Sequence, residues 1–148
     1  MTPQDLAALH AVAFDRDRPW SANEFAALLD SPHCHLTHSA HGFALWRAVA
    51  GEAELLTIAT HPDHRRRGVA SGLMRDWMSE AQSKASTAFL EVAADNAAAT
   101  ALYLKFSFEI VARRAGYYKQ ADRVADALIL RARLPFSVLK KSSGGLPR

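Results

Sequence analysis

Three consecutive arginines stand directly before a glycine in the stretch HRRRGVASGL, which runs from His64 to Leu73. The stretch follows an apolar segment typical of a buried strand, and the hydrophobic spacing after Gly68 is typical of a helix. Backbone N–H groups at a helix start lack intrahelical partners and lie at the positive end of the helix dipole. Glycine lets the main chain approach a ligand closely, and arginines add charge-assisted hydrogen bonds. We therefore expect this loop to bind a phosphate-like anion.

Two other phosphate-binding patterns do not apply to this loop. No Gly-Lys-Ser/Thr follows it, so it is not a Walker A loop, and the chain has no G-x-G-x-x-G. The alternative interpretation of the arginines is a solvated turn without a ligand.

The elements that position the loop follow from capping signals and hydrophobic periodicity. Thr2 with Pro3 predicts the start of a first helix, and the Ser21/Glu24 capping box predicts a second helix that runs to about Leu29. Helices are also predicted over residues 69–81 and 96–106, and strands over residues 34–39, 42–49, 53–60, 87–94, 108–113 and 126–134. The segment AELLTIAT lacks strict alternation, which predicts burial on both faces. We write the order as ααββββαβαββ, a mixed sheet covered by helices with a strand–loop–helix crossover in the middle.

Composition narrows the class of protein. The chain has 148 residues, 49% hydrophobic and 22% charged, as expected for one globular domain. We assign residues 1–135 to that single domain and residues 136–148 to a disordered tail. The absence of a long apolar stretch and of a basic N-terminal region predicts a cytoplasmic protein without a signal peptide. The single cysteine, Cys34, excludes an internal disulfide, and a net charge of +3 is modest for a nucleic-acid binder.

The loop and the segments after it resemble a known family. Arg65-x-x-Gly68-x-Ala70 resembles the R/Q-x-x-G-x-G/A pyrophosphate motif of the GNAT acyl-CoA N-acyltransferases. LEVAADNAAATALYLKFSF, from Leu90 to Phe108, is similar to that family's LEV-x-x-x-N-x-x-A-x-x-LY-x-x-x-GF segment. RPWS, RRAGYY and DALIL resemble the RimI-like subfamily of bacterial enzymes, which acetylate the N-terminal amine of a ribosomal protein. The resemblance covers most of the chain, over residues 14–134.

The resemblance implies an architecture and a function. The implied fold is the GNAT fold, of the α/β (α+β) class, with a central mixed, mostly antiparallel sheet of six to seven strands. About four helices flank this sheet, and a splayed parallel strand pair lies at its centre. The implied activity is acetyl-CoA-dependent transfer of acetyl to a protein N-terminus in a ternary complex, with acetyl-CoA as co-substrate and no metal. A ribosomal protein is the implied substrate, and we expect no direct nucleic-acid or membrane partner.

Two residues depart from the family pattern. Ser107 stands where the family has glycine, and a non-glycine residue in a left-handed helix cap would cost up to about 1 kcal/mol. Ala70 replaces the last glycine of the pyrophosphate motif, which matters only if the loop needs a positive φ there.

Acetyl transfer from a thioester to an amine needs a neutral nitrogen, a stabilised tetrahedral oxyanion and a proton for the departing thiolate. Glu91 is the candidate proton acceptor, because it lies on a central strand on the same face as Phe89 and Ala93. Tyr103 is the candidate proton donor, because a tyrosine hydroxyl stays protonated at neutral pH. The resemblance assigns both residues the same roles.

Both candidates also have structural interpretations. Glu91 would form an ion pair with Arg113 or Arg114 if its role were structural. Tyr103 would be a core residue with one satisfied hydroxyl, as many tyrosines at helical spacing are.

Further binding residues come from the resemblance. The side chain of Asn96, at the N-cap of a helix, and the backbone of the TIAT strand are expected to hold the pantetheine arm. The full set of cofactor-binding residues is Ile58, Ala59, Thr60, Arg65, Arg66, Arg67, Gly68, Val69, Ala70, Asn96 and Tyr103. Trp20, Tyr117 and Tyr118 are the candidate substrate-binding residues, with packing in a turn as the alternative for the two tyrosines.

One short segment is rich in histidine. His33, Cys34, His35, His38 and His41 lie close together, but no carboxylate stands at ligand spacing. We therefore expect no metal site there, and we assign this cluster no other role.

Two other functions remain open. The cofactor half of the site would look the same in an enzyme that acetylates a small amine or a lysine. A lysine amine, with its higher reference pKa near ~10.4, would need a stronger base network. The third possibility is a non-catalytic module that binds acyl-CoA or RNA.

Overall fold

The computed structural model describes residues 1–14, 18–120 and 122–136. The helices are α1 (Pro3–Ala13), α2 (Ala22–Asp30), α3 (Val69–Ala81) and α4 (Ala97–Lys105), with a short 3-10 helix at Pro62–His64. The strands are β1 (Cys34–Ser39), β2 (Gly42–Val49), β3 (Glu52–Thr60), β4 (Thr87–Ala93), β5 (Glu109–Gln120) and β6 (Arg123–Arg133). None of the helices in the described part of the chain is long and apolar enough to cross a membrane.

Both N-terminal helices begin where their capping signals predict. The Thr2 hydroxyl accepts a hydrogen bond from the Asp5 N–H at 3.1 Å, and the Asp5 carboxylate accepts one from the Thr2 N–H at 2.8 Å. Ser21 and Glu24 form the same reciprocal pair at the start of α2. Each box satisfies two backbone donors that the helix itself leaves unpaired, so the predicted starts are confirmed.

The six strands form one mixed sheet in the order β1-β2-β3-β4-β6-β5. The β3–β4 pair is parallel and the other neighbours are antiparallel. A mostly antiparallel sheet with a parallel pair at its centre is therefore confirmed. The predicted element order had one strand too many before α3. Residues 34–60 contain only two reversals, one before Gly42 and one at Ala50 and Gly51, so they make three strands.

The last two strands are longer than predicted. β5 continues beyond Arg113 through RRAGYY, because a register irregularity between Arg114 and Tyr118 absorbs the left-handed residue Gly116. The Asp126 carboxylate on β6 stabilises this bulge, since it accepts hydrogen bonds from the Gly116 N–H at 2.8 Å and from Arg113 Nε at 2.6 Å. The interpretation of Tyr117 and Tyr118 as turn residues is therefore wrong, because both lie within a strand.

The core occupies both faces of the sheet. One cluster lies under α3 and α4 and includes Trp46, Leu55 and Trp77. The other lies under α1 and α2 and includes Phe25 and Ala59. Leu55 and Ala59 belong to the same strand but to different clusters, which confirms that β3 is buried on both faces.

The departures from the family pattern have clear structural outcomes. Ser107 has a φ of 68°, so it adopts the left-handed conformation expected of the family's glycine. The Phe108 N–H donates to the Tyr103 carbonyl and the Ser107 N–H to the Leu104 carbonyl, which completes a Schellman cap on α4. Ala70 lies inside α3 and needs no positive φ.

The predicted tail falls almost entirely outside the described residues, which end at 136. Phe136, the first residue assigned to the tail, packs its ring 6.0 Å from the Phe106 ring.

Candidate active site

The central parallel strands separate after a short paired stretch. Residues 52–54 of β3 pair with residues 87–89 of β4. Beyond them, β3 continues beside β2 to Thr60, and β4 continues beside β6 to Ala93. The facing edges of β3 and β4 are therefore free of ladder hydrogen bonds over Ile58, Ala59 and Thr60 on one side and around Glu91 on the other. This opening presents main-chain donors and acceptors to a ligand.

The arginine loop closes one end of the opening. Thr60, His64, Arg65, Arg66, Gly68, Val69, Ala70 and Ser71 line a cavity of about 170 Å³ at the start of α3. Six of these eight residues belong to the predicted cofactor set. The first intrahelical hydrogen bond joins the Gly72 N–H to the Gly68 carbonyl, so the amides of Val69, Ala70 and Ser71 have no partner within the helix.

Gly68 is required here by its backbone conformation. Its φ is +79°, and a Cβ added to it would meet no atom within 4 Å. The glycine therefore permits a left-handed N-cap, and its missing side chain leaves open space in front of the helix. Gly68 supplies no side-chain cap, so the first amides of α3 stay available to a ligand.

The three arginines behave differently from one another. Arg65 donates from Nη2 to the Ala13 carbonyl at the end of α1, at 2.8 Å. Arg66 has a φ of 63° and lines the cavity. Arg67 is not among the lining residues, and its Nη1 lies 3.4 Å from Nδ1 of His64. Two arginines line a cavity that contains no carboxylate among its lining residues, so the charge and the free amides fit a diphosphate.

Glu91 lies on β4 with its side chain exposed, opposite Ile129 of β6. Its Oε2 accepts a hydrogen bond from the Tyr118 hydroxyl at 3.1 Å. No ion pair of Glu91 occurs in the described part of the chain. Arg113 pairs instead with Asp126, and the Arg114 guanidinium lies over the Tyr117 ring at 4.4 Å. The ion pair with Arg113 or Arg114 is therefore not formed.

Tyr118 lies between Glu91 and the ion pair that Arg123 forms with Asp95. The Arg123 guanidinium lies 5.9 Å from the Tyr118 ring centre. Arg123 also binds Asp95 through two hydrogen bonds, from Nε at 2.6 Å and from Nη2 at 2.7 Å. Side chains from β4, β5, β6 and the loop before α4 thus form one connected cluster that includes Glu91.

Tyr103 lies in the core beneath α4. It is 7% exposed, and its ring makes an edge contact with Phe108 at 6.1 Å. Burial raises the pKa of its hydroxyl, so Tyr103 remains protonated at neutral pH. Tyr103 belongs to the core cluster under α3 and α4, as its structural interpretation predicts, and no described residue hydrogen-bonds its hydroxyl. Asn96 caps α4, and its Oδ1 accepts from the Ala99 N–H at 3.1 Å.

The candidate substrate residues lie in two places. Trp20 packs against the smaller core cluster, with its ring centre 5.2 Å from that of His10 and 5.5 Å from that of Phe25. Tyr117 is 46% exposed, and its ring centre lies 5.3 Å from that of Tyr118 on β5. The structure therefore brings Tyr118 to Glu91 but gives no contact between Trp20 and the tyrosines.

The histidine-rich segment divides between two surroundings. The His35 ring stacks on Trp46 at 4.4 Å, whereas His41 stacks on His64 at 3.4 Å. Within the residues that the structure describes, no group of three or more His, Cys, Asp or Glu side chains could hold a metal ion.

Several residues at the site were not predicted. His64 and Ser71 line the cavity, and Asp95 and Arg123 lie beyond Tyr118. His64 stands immediately before the three arginines, so its position next to the loop was the available signal. Asp95 and Arg123 are 28 positions apart, and no local pattern connects them.

Comparison with known proteins identifies a family match. A model of the Acetyltransferase (GNAT) family matches residues 6–108. This match includes the loop, the splayed strands and all the predicted catalytic and cofactor-binding residues.

Named relatives are similar over nearly the whole chain. The [Ribosomal protein bS18]-alanine N-acetyltransferase of Escherichia coli (strain K12) is 34% identical over 137 residues, covering 89% of this chain and 91% of the relative. The N-alpha-acetyltransferase RimI of Mycobacterium tuberculosis (strain ATCC 25618 / H37Rv) is also 34% identical over 137 residues, covering 86% of this chain and 84% of the relative. The crystal structure of the ribosomal-protein-S18-alanine N-acetyltransferase from Escherichia coli has a TM-score of 0.75 at 30% identity. The match covers 93% of this chain and 90% of the chain in that structure.

Proposed function

Because this chain belongs to the GNAT acetyltransferase family, we propose that it transfers the acetyl group of acetyl-CoA to the N-terminal amine of a protein. The observation that carries the proposal is the opening between β3 and β4. A loop suited to a diphosphate follows the end of β3, and the exposed carboxylate of Glu91 lies on β4. A thioester held there would lie between a phosphate anchor and a proton acceptor.

In the proposed reaction the neutral amine is the nucleophile, and Glu91 accepts one proton from its nitrogen, directly or through water, as the C–N bond forms. An α-amino group has a reference pKa near ~8, so a carboxylate suffices to supply the neutral nucleophile. The nitrogen attacks the thioester carbonyl, the tetrahedral intermediate collapses, and the C–S bond breaks. Tyr103 donates its proton to the departing thiolate, for which its protonated state at neutral pH is a precondition.

The main chain contributes the binding part of the mechanism. The free edge of Ile58, Ala59 and Thr60 pairs with the amide groups of the pantetheine arm as an additional strand would. The amides of Val69 and Ala70, together with Arg65 and Arg66, hold the diphosphate. Arg67, which lies beside the lining residue His64, adds positive charge next to the cavity. Asn96, at the start of α4, flanks the same arm.

We propose a ribosomal protein as the substrate, as the names of the relatives indicate for those proteins. Such a substrate would place the reaction in the cytoplasm. Trp20, Tyr117 and Tyr118 are proposed to contact the substrate N-terminus, and the hydrogen bond of Tyr118 to Glu91 supports this for Tyr118.

The test is an acetylation assay that follows thiol release from acetyl-CoA. The acceptors are a panel of peptides with free N-termini, the same peptides with blocked N-termini and one internal lysine, and small amines. We expect release only with free N-termini, and mass spectrometry should locate the acetyl group on the α-nitrogen. Faster release with the lysine peptides or with small amines would contradict the proposed substrate. Saturable acetyl-CoA binding without release for any acceptor would indicate a non-catalytic module.

A further inference from the structure

Three histidines from two parts of the chain meet beside the phosphate loop. His64 is half-buried in the wall of the cavity. The His41 ring, from the turn between β1 and β2, stacks on it with the ring centres 3.4 Å apart and the planes at 4°. The His61 ring meets His64 edge-on at 5.8 Å, and the His61 N–H donates to the His41 carbonyl at 2.9 Å. The backbone thus holds the imidazoles together.

The charged groups around His64 are mostly basic. His41 faces it from the hairpin turn, Arg67 from the following loop, and His61 from the same segment as His64 itself. Among the residues that the structure describes, Asp63 is the acidic side chain that acts on His64, against these three basic neighbours. Desolvation, followed by His41, Arg67 and His61, lowers the pKa of His64 below its ordinary value of 6.5. The free protein therefore disfavours an imidazolium at this position near neutral pH.

The contact between Arg67 and His64 points to the same protonation state. Arginine can only donate, so a hydrogen bond across the 3.4 Å between Arg67 Nη1 and His64 Nδ1 forms only in the tautomer with a lone pair on Nδ1, which an imidazolium lacks. An anion in the adjacent cavity would reverse the preference, because it attracts both the guanidinium and an imidazolium. His64 would then take a proton from solvent at Nδ1, and both side chains would donate to the anion.

We infer that His64, stacked on His41, is a phosphate ligand that takes up one proton when the diphosphate of the cofactor enters the loop. This inference rests on the proposed function, because the diphosphate belongs to acetyl-CoA. It gives the enzyme a cofactor affinity that increases as the pH falls. The increase begins as the pH passes the pKa of His64 in the complex and ends below the pKa in the free protein, which is less than 6.5.

The test is isothermal titration calorimetry of the full chain with dephospho-coenzyme A between pH 5.5 and 8. This probe lacks the 3′-phosphate monoester, whose own ionisation near pH ~6 would add protons to the balance. Titrations in buffers of different ionisation enthalpy count the protons taken up. We expect the wild-type chain to take up close to about one proton on binding. Its dissociation constant should decrease by up to about tenfold for each unit by which the pH is lowered.

Two variants and one control complete the design. His64→Asn should bind without proton uptake, whereas His38→Asn, which changes an exposed histidine on β1, should keep the wild-type value. His41→Phe retains a flat ring but removes the ionisable neighbour, so its uptake should persist and move to higher pH. Uptake that is unchanged in His64→Asn, or absent from a wild-type chain that binds the probe, would overturn the inference. If neither acetyl-CoA nor the probe binds at any pH, the proposed function itself is wrong.

Discussion

The Tyr118 hydroxyl donates a hydrogen bond to the Glu91 carboxylate at 3.1 Å, although the two residues are 27 positions apart. The bond crosses from β5 to β4, over the intervening strand β6. It holds in place a carboxylate that is otherwise exposed on the open side of the sheet. Between the paired positions on either side of Gly116, β5 advances by four residues while β6 advances by two. The bulge at Gly116 therefore brings Tyr118 to this position.

Tyr118→Phe should lower turnover about tenfold, because a hydrogen bond to a charged group is lost and the carboxylate is no longer held in place. The dissociation constant for acetyl-CoA should not change, since Tyr118 is not among the residues that line the cavity at the phosphate loop. Tyr117→Phe is the comparison variant: the Glu91 carboxylate accepts its hydrogen bond from Tyr118 and not from Tyr117, so turnover should fall less in this variant. Steady-state kinetics with a reactive peptide, together with calorimetric binding, measure both effects. Equal losses in the two variants would argue against a specific role for Tyr118.

Glu91→Gln should reduce turnover by about 100-fold or more, because a positioned proton acceptor contributes at least that much. The variant keeps the shape and the exposed position of the side chain, so acetyl-CoA should bind with nearly the same affinity. Glu109→Gln, an exposed change on β5, serves as the control. Full activity of Glu91→Gln would remove this residue from the mechanism.

Comparing Gly68→Ala with Gly68→Asp distinguishes the effect of backbone strain at the phosphate loop from the effect of an added negative charge. Both place a side chain at a φ of +79°, which costs about 1 kcal/mol or more in unfolding free energy. Only the aspartate adds negative charge in front of the helix start, so it should weaken acetyl-CoA binding at least tenfold beyond the alanine variant. Urea unfolding and calorimetry measure the two effects. Tight binding by Gly68→Asp would contradict the assignment of the loop.

Ser107→Gly should stabilise the protein by up to about 1 kcal/mol, because glycine adopts the left-handed conformation at φ 68° without a steric cost. Ala50→Gly is a parallel case, since Ala50 has a φ of 53° in the β2–β3 turn. Urea unfolding of both variants provides the measurement. A destabilised Ser107→Gly would mean that the serine side chain contributes more than its backbone costs.

Glu24 should make the protein sensitive to acid. The hydrogen bonds from Arg18 and from the Ser21 N–H lower the pKa of Glu24 from 4.5 to about 2. A folded pKa below the unfolded one contributes stability that is present above about pH 4.5 and is lost as the pH falls toward about 2. Glu24→Gln should therefore flatten this part of the stability curve. Thermal unfolding between pH 2 and 6 tests this, with Asp30→Asn as the control; an unchanged slope would contradict the prediction.

The local features of this protein could be predicted from the sequence, because each depends on residues a few positions apart. The capping boxes of Thr2 and Ser21 determine where two helices begin. The turn at Ala50 and Gly51 separates β2 from β3. Ser107 adopts the left-handed conformation expected for its position. The loop before α3 was recognised in the same way, since its glycine, its arginines and the helix start are contiguous.

Only the tertiary structure decided which distant side chains meet. The contact of Tyr118 with Glu91 depends on the strand order and on a two-residue bulge. The stack of His41 on His64 depends on β3 pairing with β2, which brings the hairpin turn beside the phosphate loop. Strand pairing and bulges set these positions through packing of the whole sheet, and no spacing within a single segment encodes them.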